Sequence, residues 1–287
     1  MNRFLAPAKV NLFLHVMGRR DDGYHLLRTV MTFFPLYDIL EMDVGGNEVT
    51  LACHPPVTGN PEQNLVVRAA RLLQKNCNCR QGVHISLTKN IPAAAGLGGG
   101  SSDAATTLMA LNRLWSLGLS QTELAEIGLT LGADVPLFIG QKTALAEGIG
   151  EQLTPMETLP TFPLLLINPG VPVSTPAAFS GLNGRWPERD ANWSLAEGLQ
   201  ENDALTWMEN DLESPARCLA PEIDTVFQAL HQQGARMVRM SGSGASVFGV
   251  FESDNQLIFA AESIKSQYNN WLVFSGRTFH IHPFASG

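Results

Sequence analysis

The chain has 287 residues, of which 45% are hydrophobic and 16% charged, against roughly 25% charged in an average soluble domain. That composition supplies a sizeable core and lacks the low hydropathy and high charge of a disordered chain. With 27 acidic and 19 basic residues the net charge is -8, and no Lys/Arg run stands against it. A broad nucleic-acid or anionic-membrane surface is excluded on that ground, because both need a concentrated basic face; a local anion pocket stays open. The length predicts two domains with a cleft between them.

Lys9 and Asn11 interrupt the first apolar stretch, so the N-terminus does not read as a signal peptide. No segment approaches the roughly 18 apolar residues of a membrane span, and the expectation is a soluble, cytoplasmic protein. Four cysteines, Cys53, Cys77, Cys79 and Cys218, have neither redox nor zinc-ribbon spacing and are expected to be reduced structural thiols. His280-x-His282 is expected to line one side of a strand, and no metal site is expected.

In chain order, Val10, Leu12, Leu14 and Val16 alternate with Lys9, Asn11, Phe13 and His15, the period of a half-buried strand that puts Lys9 and Asn11 on one face. Asn64 reads as the N-cap of a helix lined by Leu65, Ala69 and Leu72. A strand follows at Ile85 and Leu87, then a glycine-rich loop, then a capped helix carrying Ala104, Leu108, Leu111 and Trp115. Ser120 and Glu123 form a capping-box pattern, with Gly132 placed as a helix stop and Asp134 in a tight connection before Val135-Pro136.

Prolines around 155–163 mark a domain boundary, dividing the chain into residues 1–158 and 159–287. Phe162 to Ile167 reads as a buried strand, and Gly181 to Asn192 as a surface loop. After these come a helix (Ile223, Phe227, Leu230), a strand (Arg236 to Met240), a Ser-Gly-Ser-Gly turn, a strand (Val247 to Phe251), a helix (Leu257, Ala261, Ile264) and a strand (Trp271 to Phe274). This second half is expected to be an α+β sandwich.

The loop runs Pro92-Ala93-Ala94-Ala95-Gly96-Leu97-Gly98-Gly99-Gly100-Ser101-Ser102. It is neither a Walker A loop nor GxGxxG, yet it holds the ingredients of a phosphate cradle. Glycines let backbone N–H groups approach an anion, and the following helix turns unpaired N–H groups and its positive dipole end toward it. Ser101 and Ser102 add hydroxyl donors or a magnesium ligand. The plain alternative is a turn with one serine as a cap. Asp134 alone reads as a loop residue and Lys9 alone as a solvated strand lysine; together beside a phosphate loop they would accept a hydroxyl proton and support developing negative charge. Tyr24-His25 after Asp21-Asp22-Gly23 offers an aromatic face and a polar edge for a pyrimidine, or else a buried Tyr-His pair behind a turn. Ser241-Gly242-Ser243-Gly244 is either a tight hairpin or a set of backbone donors facing a cleft.

The loop resembles the ATP-phosphate loop of the GHMP kinases, the superfamily of galactokinase, homoserine kinase and mevalonate kinase. Ala6-Pro7-Ala8-Lys9-Val10-Asn11-Leu12, Asp22-Gly23-Tyr24-His25 and Gly132-Ala133-Asp134-Val135-Pro136 narrow the resemblance to members acting on a cytidine-diphosphate-linked methylerythritol in non-mevalonate isoprenoid biosynthesis. With Ser241-Gly242-Ser243-Gly244-Ala245 it spans nearly the whole chain. It implies an α+β two-domain GHMP kinase fold, with a ribosomal S5-like N-terminal domain and a ferredoxin-like C-terminal domain, using ATP and Mg2+.

By the same resemblance Lys9 and Asp134 would be the catalytic pair, Asp134 as base toward the substrate's 2-hydroxyl and Lys9 orienting it. Pro92, Ala93, Ala94, Ala95, Gly96, Leu97, Gly98, Gly99, Gly100, Ser101 and Ser102 would hold the ATP phosphates. Asn11, Tyr24, His25, Thr175, Pro176 and Phe179 would bind the cytidyl substrate, with neither nucleic acid nor membrane as partner. Where the family more usually has glycine after Pro92-x, this chain has Ala94, which narrows backbone freedom at the loop's entrance and is expected to tune rather than abolish its use. Two rivals stay open: another GHMP kinase of homoserine or mevalonate type, which has no base to stack on Tyr24, and a non-catalytic nucleotide-binding regulator on the same fold, which has no use for both Lys9 and Asp134.

Overall fold

The computed structural model describes residues 1–156, 158–189 and 208–286. Strands β1 (Asn2–Arg19) and β2 (His25–Val44) pair antiparallel from Asn2 opposite Met42 to Arg19 opposite His25. β2 is long enough to carry two further neighbours, so the sheet widens at both ends. β3 (Val49–His54) lies parallel to β4 (Val83–Thr88), a pairing that needs a crossover, and α1 (Leu65–Asn76) supplies it. β4 pairs with the C-terminal half of β2, while β5 (Ala144–Gly148) pairs with its N-terminal half and β6 (Gln152–Pro155) closes that edge.

The expected Asn64 cap is present, its side-chain oxygen accepting from Val66 N at 3.0 Å. The buried stripe of α1 is Val66, Val67, Ala69, Ala70 and Leu73, so Leu65 and Leu72 sit at its margin. α2 (Gly99–Leu114) buries every residue from Ser102 to Leu111, because its Gly, Ala, Ser and Thr side chains let it nest between α1 and β1. It carries no side-chain cap, contrary to expectation; its N-cap is Gly98. α3 (Gln121–Leu129) opens on the predicted Ser120–Glu123 capping box, but its C-cap is Thr130. Gly132 is therefore not the left-handed stop expected of it; it has an ordinary φ and its N–H reaches back to Gly128 O at 3.2 Å. α4 (Val135–Gly140) follows at once, with Pro136 in its first turn.

The second sheet contains β7 (Pro163–Asn168), β8 (Met237–Met240), β9 (Val247–Val250) and β10 (Leu272–Arg277), ordered β10-β7-β9-β8 with all neighbours antiparallel. Between β7 and β8 run α5 (Thr175–Ser180), α6 (Glu213–Leu219) and α7 (Glu222–Gln232). α8 (Asp254–Gln267) joins β9 to β10. That is the β-α-β-β-α-β order of a ferredoxin-like unit. The two short helices α5 and α6 add to the expected elements. Residues 181–189 form the expected turn-rich surface stretch, and residues 190–192 of that reading lie outside the described residues.

One hydrophobic cluster fills the space between the first sheet and α1 to α4, a second lies between the second sheet and its helices, and a third joins the two sheets. The third explains why β1 is not half-buried. Ala8, Val10 and Leu12 pack into it with Leu164, Leu166 and Phe248 of the second sheet, while Lys9, Asn11 and His15, on the face expected to be wet, are buried as well.

Beyond β10 the chain returns to the first sheet, where Phe279 bridges Phe33 and Ile281 bridges Lys142. His280 and His282 thus flank the bridge residue Ile281 and lie outside any strand. His282 packs edge-on to the Phe33 and Phe138 rings, and burial pulls its pKa down to about 4. All four cysteines are free. Among the described residues no helix is long and apolar enough to cross a membrane.

Candidate active site

The loop from β4 into α2 lies over β1. Lys9 N donates to Leu97 O at 2.9 Å, which ties the loop to the strand. Gly96 has φ 75°, and a Cβ there would stand 2.0 Å from Ser241 O, so the contact with the turn between β8 and β9 requires glycine. Gly98, at φ 68°, turns the chain into α2 directly above the Lys9 side chain. The first bond of that helix is Ser102 N to Gly98 O at 2.8 Å. The N–H groups of Gly99, Gly100 and Ser101 precede it, and helix geometry leaves such groups for an external acceptor. Ala94 adopts φ 51°, so the entrance keeps a left-handed residue without the glycine that suits one.

Lys9 is 4% exposed, and its Nζ lies 3.4 Å from Asp134 Oδ2. It also donates to Asn11 Oδ1 at 2.5 Å; Asn11 Nδ2 donates to Thr29 Oγ1 at 2.9 Å, and the Thr29 hydroxyl donates to Phe13 O. This chain of bonds fixes the ammonium from behind. Asp134 is the N-cap residue of α4, but its side chain makes no cap bond and is 33% exposed, which leaves a carboxylate oxygen for an incoming group. The turn's own hold on β1 is polar: Ser241 Oγ accepts from Asn11 N at 3.1 Å and donates to Gly96 O at 2.9 Å.

These pieces line one cleft of about 460 Å³. Of the expected residues, Lys9, Asn11, Pro92 to Gly96, Gly98 to Ser101, Asp134, Thr175 and Phe179 face it. Leu97 instead packs into the cluster between the sheets, and Ser102 is buried with its hydroxyl unpartnered. Tyr24, His25 and Pro176 are not among the lining residues. Tyr24 is 60% exposed, which also removes the buried Tyr-His alternative. The His25 ring stacks on Phe179, with centroids 4.6 Å apart, and meets Trp186 edge-on at 6.0 Å, so it touches the cleft wall through Phe179. Burial, helped by Arg19, lowers the pKa of His25. Gly242 and Ser243 line the cleft as well; the Ser-Gly-Ser-Gly segment is both the turn joining β8 to β9 and a wall.

Thr29, Lys89 and Asp103 also line the cleft and were missed in the sequence. Lys89 and Asp103 flank the glycine-rich motif and could have been found as its immediate neighbours. Thr29 carries no local signal, since only pairing with β1 brings it to Asn11. Among the described residues no group of three or more His, Cys, Asp or Glu side chains is placed to hold a metal.

Two sheets meeting at a glycine-rich loop, with a lysine and an aspartate beneath it, form the arrangement of a GHMP-type small-molecule kinase. Family models agree in both halves: GHMP kinases N terminal domain over residues 64–142 and GHMP kinases C terminal over residues 194–270. The 4-diphosphocytidyl-2-C-methyl-D-erythritol kinase of Chelativorans sp. (strain BNC1) is 43% identical, the match covering 96% of this chain and 95% of that one. The same-named kinase of Syntrophus aciditrophicus (strain SB) is 41% identical over 97% and 99%. A crystal structure of a 4-(cytidine 5'-diphospho)-2C-methyl-D-erythritol kinase superposes with a TM-score of 0.82 at 36% identity, covering 96% of this chain and 99% of that one. A homoserine kinase from Cytophaga hutchinsonii, at 19% identity, a TM-score of 0.72 and coverage of 98% and 95%, shares the fold. The chain belongs to the GHMP kinases and, within them, to the family of 4-diphosphocytidyl-2-C-methyl-D-erythritol kinases.

Proposed function

We propose that this cleft transfers the γ-phosphoryl group of ATP to the 2-hydroxyl of 4-diphosphocytidyl-2-C-methyl-D-erythritol, a step of non-mevalonate isoprenoid precursor biosynthesis. The observation that carries the reading is the Lys9–Asp134 pair, 3.4 Å apart, in the same cleft as the unpaired N–H groups at the start of α2. Asp134 takes the proton from the 2-hydroxyl as its oxygen bonds to the γ-phosphorus; the bond from that phosphorus to the bridging oxygen breaks, and ADP leaves with the electron pair. Lys9 holds the Asp134 carboxylate and the acceptor oxygen in line and offsets charge growing on the transferred group. Gly98 to Ser101 present N–H groups to the β- and γ-phosphates.

Mg2+ would enter with the nucleotide. Ser101 Oγ, which lines the cleft at the start of α2, is the kind of hard oxygen donor that such an ion takes alongside phosphate and water. The ion's chemistry is to neutralise phosphate charge during transfer.

The cytidyl end of the substrate goes to the side walled by Phe179 and Thr175, with Asn11 on the floor. Tyr24, exposed beside the His25–Phe179 stack, supplies a free aromatic face for the base. The division at residues 158/159 separates the unit bearing the phosphate loop from the unit bearing Phe179. The substrate is a dissolved small molecule, which suits work in the cytoplasm and calls for neither nucleic acid nor membrane. The test is coupled ADP release, with mevalonate and homoserine as controls. Turnover confined to the cytidyl acceptor supports the reading, and turnover of a control in its place removes it.

A further inference from the structure

Beneath the glycine-rich loop lies a second charged group that the transfer step does not use. Lys89, at the end of β4, bridges the carboxylates of Asp38 on β2 and Asp103 on α2, its Nζ standing 2.6 Å from Asp103 Oδ2 and bonded to Asp38 Oδ2. All three side chains are almost wholly removed from water, with 6% of Lys89, none of Asp38 and 3% of Asp103 exposed. The other oxygen of Asp38 accepts from Asn90 N at 2.6 Å and Ile91 N at 2.8 Å, the two residues that lead into the loop. Asn90 is held a second way, its Nδ2 donating to Tyr37 O at 2.8 Å.

The exit of the loop meets the same group. A Cβ on Gly99 would lie 2.9 Å from the Ile91 side chain and 3.4 Å from Asp38 Oδ2, so entrance and exit touch over Asp38, while Asp103 ties the first turns of α2 to Lys89. Burial acts against the Lys89 ammonium, but the two carboxylates outweigh it and hold its pKa above the ordinary value. Burying such ions is costly, and well-packed apolar side chains often stabilise a fold as well or better. What the ions add is direction, since each bond fixes an angle as well as a distance.

We propose that Asp38, Lys89 and Asp103 are positioning residues for the phosphate loop, holding its two ends at the spacing that aims the N–H groups of Gly99 to Ser101 at ATP. The proposal rests on the reading of that loop as the ATP-phosphate site. It assigns the cluster to nucleotide binding and leaves the cytidyl end of the cleft independent of it. Asp38 is the decisive member: it is fully buried and does not line the cleft, so it acts on a nucleotide only through the loop.

Binding of a non-hydrolysable ATP analogue and of the cytidyl substrate, measured separately by calorimetry, tests this. Asp38→Asn and Lys89→Met should each weaken the analogue about tenfold, the scale of a lost preorganised contact, while the cytidyl affinity stays within about twofold. Lys89→Arg should recover most of the loss, because a guanidinium can still span two carboxylates. The double variant should be little weaker than Lys89→Met alone, as expected of residues acting as one unit. If Lys89→Met fails to fold, Asp38→Asn and Asp103→Asn decide between the outcomes. Folded Asp38→Asn that binds the analogue like the parent, or that loses both ligands equally, overturns the proposal. A parent that binds the cytidyl substrate but no analogue overturns the nucleotide reading itself.

Discussion

The Ser241 hydroxyl donates to the carbonyl oxygen of Gly96 at 2.9 Å and accepts from Asn11 N at 3.1 Å, joining a turn of the second sheet to both the glycine-rich loop and β1. Ser241→Ala leaves the Asn11 donor and the Gly96 acceptor in a buried place without that partner, at a cost of roughly 1–3 kcal/mol. Urea unfolding should register that loss, and the Michaelis constant for ATP should rise with it. An unchanged midpoint together with an unchanged constant would show that the bridge does not hold the loop.

Ala94 has φ 51°, a conformation that costs a non-glycine L-residue roughly 1–2 kcal/mol. Ala94→Gly relieves that cost but gives back roughly 0.4–1 kcal/mol through a freer unfolded chain. The expected result is a modest stabilisation, below about 1 kcal/mol, whereas Ala94→Val should be destabilising because a β-branched residue fits φ > 0 worst. Unfolding midpoints in the reverse order would mean that the loop entrance is not left-handed.

Glu213 gives a pH dependence away from the cleft. Burial raises its pKa from 4.5 to about 7, against the opposing pull of the Met240 N–H and of Arg239 and Arg217. The folded protein then binds this proton more tightly than the unfolded chain does, so the contribution to stability is complete below pH 4.5 and is lost as pH rises through about 7. Glu213→Gln keeps an oxygen for Met240 N and removes the titration. It should match the parent near pH 4 and exceed it at pH 8 by about 1–3 kcal/mol; an equal offset at both pH values would contradict the assignment.

Much of this fold can be read locally, and the exceptions share one cause. Asn64, the Ser120–Glu123 box and the buried run of β7 act through neighbours in sequence, so their patterns are visible. β1 misleads because its second covering is a sheet formed from residues 163–277, which no period in β1 can report. The same applies at the site. Lys9, Asn11, the loop and Asp134 stand in short motifs, but Thr29 and Asp38 reach their partners only through the pairing of β2 with β1 and β4. Gly132 and the missing cap of α2 are local errors of another kind: a glycine with an ordinary φ read as a stop, and serines already inside the helix read as caps.

Tyr24 distinguishes the cytidyl acceptor from smaller ones. Because its ring is 60% exposed, Tyr24→Ala should leave the fold and ATP binding unaltered while weakening the cytidyl substrate by roughly 1–3 kcal/mol, the scale of a base stacked on an aromatic ring. Tyr24→Phe should retain most of the affinity. Titration of both variants with the cytidyl substrate checks this, and parental affinity in Tyr24→Ala would move the base elsewhere.

The turnover number of Asp134→Asn, measured with saturating ATP and cytidyl substrate on protein shown to be folded and to bind the ATP analogue, tests the central claim most directly, with Lys9→Ala as its companion. Asp134 is partly exposed and makes no cap bond, so its replacement should spare the fold while removing the proton acceptor. The turnover number should fall by roughly 10² to 10⁴. A folded, nucleotide-binding Asp134→Asn that turns over at close to the parental rate would contradict the account.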